Sequence, residues 1–143
     1  MAAEAQTNHS RRILLVDDDD ILRDASGRVL ERAGFHVLTA QDGKKALRIL
    51  EEGSVDLVIT DLVMPELDGL ELIRELRRGA GPPILAISGE SGWRFLQMAM
   101  VFGAQGTLLK PYSIEQLMEA GAAGVKGRRG RGGKPSSARS CGR

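Results

Sequence analysis

Five short apolar runs recur along the chain at nearly regular intervals, and this rhythm limits the fold more than any other feature. They are Ile13–Val16, His36–Ala40, Leu57–Thr60, Ile84–Ile87 and Thr107–Leu109, with starts 23, 21, 27 and 23 residues apart. Each interval holds one strand and one helix. The runs are continuously apolar rather than alternating, which suits strands covered on both faces. Between them lie helical stripes: Ile21, Leu22, Ala25, Val29, Leu30 and Ala33, then Ala46, Leu47 and Leu50, then Leu70, Ile73 and Leu76. Gly34 and Gly53 supply stops for the first two, and Gly79, Gly81 and Pro82-Pro83 close the third. Phe95 to Phe102 is apolar almost all round, and Ile114, Leu117 and Met118 open a fifth helix. Five strands alternating with five helices predict an α/β domain with a parallel sheet and helices on both faces.

Composition narrows the class further. With 143 residues, 42% of them apolar, the chain can bury one core. Only five residues are aromatic, so that core is aliphatic. No apolar run approaches the roughly 20 residues of a membrane span, and Met1 to Ser10 contains no signal-like apolar stretch. The single cysteine, Cys141, excludes a disulfide framework and a Cys-rich zinc site. A soluble, cytoplasmic protein with no membrane contact is expected. The formal net charge of +1 conceals an asymmetry: residues 126–143 hold seven Lys or Arg and no acid, whereas the preceding 125 residues carry a net of −6. Three parts follow: a disordered N-terminus (1–10), a folded domain (11–123) and a basic Gly/Arg/Ser-rich disordered tail (124–143). Nucleic acid is expected to bind only weakly, through that tail.

The ends of the strands carry the chemistry, because ligands of open parallel sheets bind outside the strands' carboxyl ends. Strand one ends in Asp17-Asp18, strand three in Asp61, strand four in Ser88 and strand five in Lys110-Pro111. Asp17 and Asp18 also precede a helix, where Asp20 is the expected N-cap. Three neighbouring carboxylates repel one another, and an all-oxygen site of this kind suits Mg²⁺. A metal-bound carboxylate beside a hydroxyl and an ammonium is an arrangement for phosphoryl transfer, with Asp61 as the nucleophile that becomes an acyl phosphate.

These pieces, in this order, resemble the receiver domain of bacterial response regulators. The resemblance covers about Arg11 to Ala120 and rests on Ile13-Leu14-Leu15-Val16-Asp17-Asp18, on Asp61 with Met64-Pro65 and Asp68-Gly69 behind it, on Ser88-Gly89, on Gly103-Ala104 and on Lys110-Pro111-Tyr112. It implies a flavodoxin-like receiver fold with strand order 2-1-3-4-5 and a cis bond at Lys110-Pro111. It implies that Asp61 accepts a phosphoryl group from a sensor histidine kinase or a phosphotransfer protein. Asp18 and Asp61 would bind Mg²⁺ directly, Asp17 through water, and the backbone carbonyl of Val63 would complete the protein ligands. Ser88 and Lys110 would hold the phosphoryl group. A downstream protein is expected on the helix 4–strand 5–helix 5 face, and Val63 and Glu90 are expected to tune dephosphorylation.

Two departures stand out. The family usually carries an aromatic residue a few positions before the lysine, where this chain has Thr107. No output domain follows, so a stand-alone, chemotaxis-regulator-like receiver is expected. Two other readings compete with a phosphorelay role. Asp17-x-Asp19 after a strand also resembles the haloacid dehalogenase-like phosphatases, with Asp17 as nucleophile and Asp19 as acid/base, but that leaves Asp61 unused. The other is a receiver-like binding module that is never phosphorylated.

Overall fold

The computed structural model describes residues 11–64, 68–79, 81–89 and 93–129. Strands β1 (Arg12–Val16), β2 (His36–Ala40), β3 (Leu57–Asp61), β4 (Ile84–Ser88) and β5 (Gly106–Leu109) alternate with helices α1 (Asp20–Arg32), α2 (Gly43–Glu52), α3 (Gly69–Arg77), α4 (Trp93–Phe102) and α5 (Ile114–Arg129). Every strand pair is parallel, and the order is β2-β1-β3-β4-β5, the flavodoxin-like receiver order. Val16 lies opposite both Ala40 and Thr60, Asp61 opposite Ile87, and Ser88 opposite Leu109. The carboxyl ends of the strands are therefore nearly level and share one edge.

The period of two along each strand divides the core into two layers. Leu14 and Val16 of β1, Val58 of β3, and Ile84 and Ala86 of β4 meet Ala46 of α2, Leu72 and Ile73 of α3, and Leu96 and Ala99 of α4. Ile13 and Leu15, Leu57 and Ile59, and Leu85 and Ile87 meet Leu30 of α1 and Leu117 of α5. The inner strands β1, β3 and β4 are buried on both faces apart from Arg12 at the start of β1, as continuous apolar runs require, while the outer strands β2 and β5 are half exposed.

The helices depart from the sequence reading in two places. In α1 the expected stripe is shifted: Ile21 is 83% exposed and Ala25 is exposed, whereas Ser26, Gly27 and Leu30 are buried. A Cβ on Gly27 would meet Val37, Leu15 and Thr39 at the ordinary contact distance of 3.9–4.0 Å, so this face of α1 packs on β1 and β2. Helix α5 runs to Arg129, so residues 124–129, which composition assigned to the tail, are helical. Residues 1–10 and 130–143, with the expected disorder of both ends, lie outside the described residues.

A Leu14→Ala variant is expected to lose about 2–5 kcal/mol of stability, because a fully buried side chain leaves a cavity. Ile21→Ala, on the exposed face of α1, is expected to stay within about 0.5 kcal/mol of wild type. Urea unfolding of both variants checks the assignment of the α1 faces.

Candidate functional site at the carboxyl edge of the sheet

Four consecutive aspartates follow β1, and each does something different. The Asp17 N–H continues the sheet pairing by donating to the Ala40 carbonyl at 3.1 Å, and its Oδ1 accepts from the Asp19 N–H at 3.0 Å. Its side chain is buried, whereas Asp18 is exposed. Asp19, not Asp20, is the N-cap of α1: its backbone is extended, and its Oδ1 accepts from the Leu22 N–H at 3.0 Å. Asp20 is already helical and cannot take the cap position. It lies in the first turn, where a negative charge suits the helix dipole, and accepts from Arg23 Nη2 at 2.6 Å.

Asp61 closes β3 and is 7% exposed. Its surroundings are fixed through the backbone: Thr60 Oγ1 donates to the Asp61 carbonyl at 2.8 Å, and the Leu62 N–H donates to the Ile87 carbonyl at 3.0 Å. Beyond it the chain turns into α3, whose N-cap is Asp68. Gly69 packs directly on the Asp61-Leu62 backbone. A Cβ there would sit 2.3 Å from the Asp61 carbonyl oxygen and 2.6 Å from Leu62 Cα, closer than any side chain can approach. The Asp68-Gly69 pair reads in sequence as a helix start, and it is one; its contact with Asp61 is visible only in three dimensions. Val63 is 59% exposed beside the site. Pro65 and Glu90 lie outside the described residues.

Ser88, buried at the end of β4, accepts at its carbonyl from the Lys110 N–H at 2.7 Å. The Lys110-Pro111 peptide is cis. Just after it, Tyr112 Oη and Ser26 Oγ form a hydrogen bond of 3.0 Å, which joins the β5–α5 connection to α1. Burial raises the Tyr112 pKa, partly offset by that bond.

The site's electrostatics centre on one ammonium. Lys110 Nζ lies 3.3 Å from Asp61 Oδ2 and 3.4 Å from Asp17 Oδ2. Burial works against its charge, but the attraction of Asp61 and Asp17 outweighs this and raises its pKa. Asp17 is also raised, first by burial; the Asp19 N–H and Lys110 pull it down, and Asp61 pushes it up again. One oxygen from each of Asp17, Asp18 and Asp61 falls within 4.8 Å of the others. With all three ionised and Lys110 charged, the cluster carries a net charge that one divalent cation neutralises. Hard oxygen donors and an exposed third carboxylate, open to water, fit Mg²⁺.

The sequence and the fold both have known relatives. The model of the response regulator receiver domain family matches residues 13–122. The chain belongs to the response regulator receiver domain family. This receiver is 39% identical over 108 residues to the response regulator MprA of Mycolicibacterium vanbaalenii, covering 75% of this chain and 47% of that protein. It is 38% identical over 106 residues to the uncharacterized transcriptional regulatory protein YrkP of Bacillus subtilis, covering 74% and 46%. It also matches sensor kinase CckA of Brucella abortus, 41% over 112 residues, 76% of this chain and 12% of that protein. The chain thus spans about half the length of the regulators it matches. Among solved structures, a receiver domain protein from Clostridium thermocellum superposes with a TM-score of 0.78 at 30% identity, covering 83% of this chain and 97% of that one. Full-length FixJ from B. japonicum gives 0.80 at 29%, covering 85% and 61%. Receiver domains are signalling phosphoacceptors that are phosphorylated by sensor histidine kinases and bind Mg²⁺ at an acidic cluster. Among the described residues, no helix is long and apolar enough to cross a membrane.

Gly69→Ala is expected to push the start of α3 away from the Asp61-Leu62 backbone and destabilise the receiver by about 1–3 kcal/mol, since an overpacked backbone contact must open. Differential scanning calorimetry measures it. The raised pKa of Asp17 sets a pH dependence of known sign. Relative to the unfolded chain, its contribution to stability is fully present below the ordinary aspartate pKa and is lost as pH rises through the raised value. In chelator, Asp17→Asn therefore gains on wild type as pH rises through that window, and urea midpoints of the two proteins between pH 4 and pH 8 test it.

Proposed function

We propose that this receiver takes a phosphoryl group from the phosphohistidine of a sensor kinase, or of a phosphotransfer protein, onto Asp61. A carboxylate oxygen of Asp61 attacks phosphorus, the P–N bond breaks, and its electron pair leaves with the imidazole nitrogen, giving an acyl phosphate. The observation that carries this reading is the placement of Lys110 Nζ, 3.3 Å from Asp61 Oδ2, beside a cluster of three carboxylates. Asp18 and Asp61 would hold Mg²⁺ directly, Asp17 through water, and the Val63 carbonyl would complete the protein ligands. The cation supplies charge neutralisation at the phosphoryl oxygens. Lys110 donates to a phosphoryl oxygen once the phosphate draws it from the carboxylates, and the Ser88 hydroxyl gives a second hydrogen bond.

The signal leaves through the α4–β5–α5 face. Phe95, Met98, Met100 and Val101 of α4, Leu109 of β5, and Ile114 and Met118 of α5 are large apolar side chains exposed to solvent on this side. A concentration of this kind marks a protein-binding surface, and the downstream protein would dock there. Exposed Val63, with Glu90, would set how readily water reaches the acyl phosphate. No observation favours the phosphatase alternative, in which Asp17 is the nucleophile: Asp19, its acid/base, is engaged as the α1 cap.

Intact-protein mass after incubation with Mg²⁺ and acetyl phosphate tests this reading. A single phosphoryl adduct is expected, absent without metal and absent in Asp61→Asn. Lys110→Ala is expected to slow its formation by about a hundredfold. No adduct on wild type from acetyl phosphate or from autophosphorylated histidine kinases would make this an unphosphorylated binding module instead.

A further inference from the structure

Arg23 belongs to none of the roles assigned so far, yet its guanidinium reaches the loop that carries Asp17 and Asp18. It projects from the first turn of α1, and its side chain is only 18% exposed. Nη1 donates to the backbone carbonyl of Asp17 at 2.6 Å, and Nη2 donates to Asp20 Oδ1 at 2.6 Å. The carbonyl it grips belongs to the peptide that joins Asp17 to Asp18.

We infer that Arg23 is a positioning residue for the divalent-cation site: by fixing the Asp17–Asp18 peptide it sets the relative direction of two of the three carboxylates. A peptide unit is rigid and planar, so its orientation is defined once one end and the carbonyl are held. The Asp17 N–H belongs to the preceding peptide, and its bond to Ala40 at the end of β2 holds the Asp17 Cα end of the unit. Arg23 holds the carbonyl of the unit itself, and the Asp19 N–H bond to Asp17 Oδ1 ties the Asp17 carboxylate to the peptide that follows. The planar guanidinium suits the task because it donates in two directions at once, one to the loop and one to Asp20, which anchors it. A lysine ammonium on a flexible stem lacks that fixed fork.

The inference rests on the proposed cation site and makes a prediction opposite in sign to simple electrostatics. A cationic side chain beside a divalent-cation site repels the ion, so its removal would tighten binding if charge were its whole effect. A positioning role requires the reverse, since groups that orient metal ligands typically contribute about 10–100-fold in affinity.

The test is isothermal titration of the full chain with MgCl₂, for wild type, Arg23→Ala, Arg23→Lys and Asp20→Asn, with thermal melts in chelator alongside. Arg23→Ala and Arg23→Lys are expected to weaken Mg²⁺ binding by about tenfold or more, and Asp20→Asn by less, because it frees only the anchor. Saturating Mg²⁺ is expected to restore the rate of phosphorylation by acetyl phosphate in the folded variants. Retention of wild-type affinity in Arg23→Lys, or equal or tighter binding in Arg23→Ala, overturns the positioning role while leaving the cation site intact. A melting temperature that falls with no change in affinity assigns Arg23 to helix stability alone, and overturns it too. If Arg23→Ala does not fold, Arg23→Lys and Asp20→Asn decide. Wild-type protein that binds no Mg²⁺ overturns the cation site and this inference together.

Discussion

One ammonium between two carboxylates holds the functional edge of this receiver together. Asp17 and Asp61 sit at the ends of neighbouring strands and are largely withdrawn from water, so their charges repel at short range. Lys110, delivered from the far side of β4, is the counter-charge the described residues provide to both. Burial still raises the Asp17 pKa despite that contact. Three carboxylates against one ammonium leave an oxygen-lined cluster that fits a divalent cation. In the proposed phosphorylation, the lysine would leave these carboxylates for the stronger acceptors of a phosphoryl group.

The sheet makes this geometry possible by simple means. Parallel strands in level register bring groups 44 and 93 positions from Asp17 in the chain to one edge. The two core layers behind them are aliphatic and fully buried, so the edge rests on a rigid base. Backbone bonds then fix the individual strand ends: Asp17 to Ala40, Leu62 to Ile87, and Lys110 to Ser88. Each bond joins the end of one strand to the next strand across, so the site residues are positioned relative to one another rather than only within their own loops.

Strand positions and strand-end residues were legible in the sequence because both depend on period and order alone. Asp17, Asp61, Ser88 and Lys110 stand immediately after, or at the end of, apolar runs that can only be strands. What sequence did not reveal depends on distances between elements. Ile21 looks like a core residue by spacing, but the face of α1 that meets the sheet carries Ser26, Gly27 and Leu30 and leaves Ile21 exposed. Four aspartates in a row offer no internal signal of which caps the helix; the answer depends on where the backbone stops being extended, and that is Asp19. Arg23 reads as a solvated helix residue until the loop folds back and presents it with the Asp17 carbonyl. The length of α5 was underestimated because Gly121 and Gly124 weaken a helix by only about 1 kcal/mol each. Packing of Leu117 and Ala120 against the sheet ties down the start of that helix.

Thr107 changes what links the site to the α4–β5 face. It stands exposed on β5 and lines a groove of about 250 Å³ with Leu96, Gln97, Met100 and Leu109. This chain has no ring at this position that could fill or vacate the groove. Hydrogen bonds join β4 to β5 at both ends. Ser88 receives the Lys110 N–H at the top of the pair, and Gln105 is tied to Ile84 at the bottom, through the Gln105 N–H to the Ile84 carbonyl and the Ile84 N–H to Gln105 Oε1. If Ser88 and Lys110 hold a phosphoryl group as proposed, a pull on them would act on β5 along its own backbone, with the lower end of the strand tied to β4. Leu109, adjacent to Lys110 and 42% exposed, is the apolar side chain next to that end of the strand.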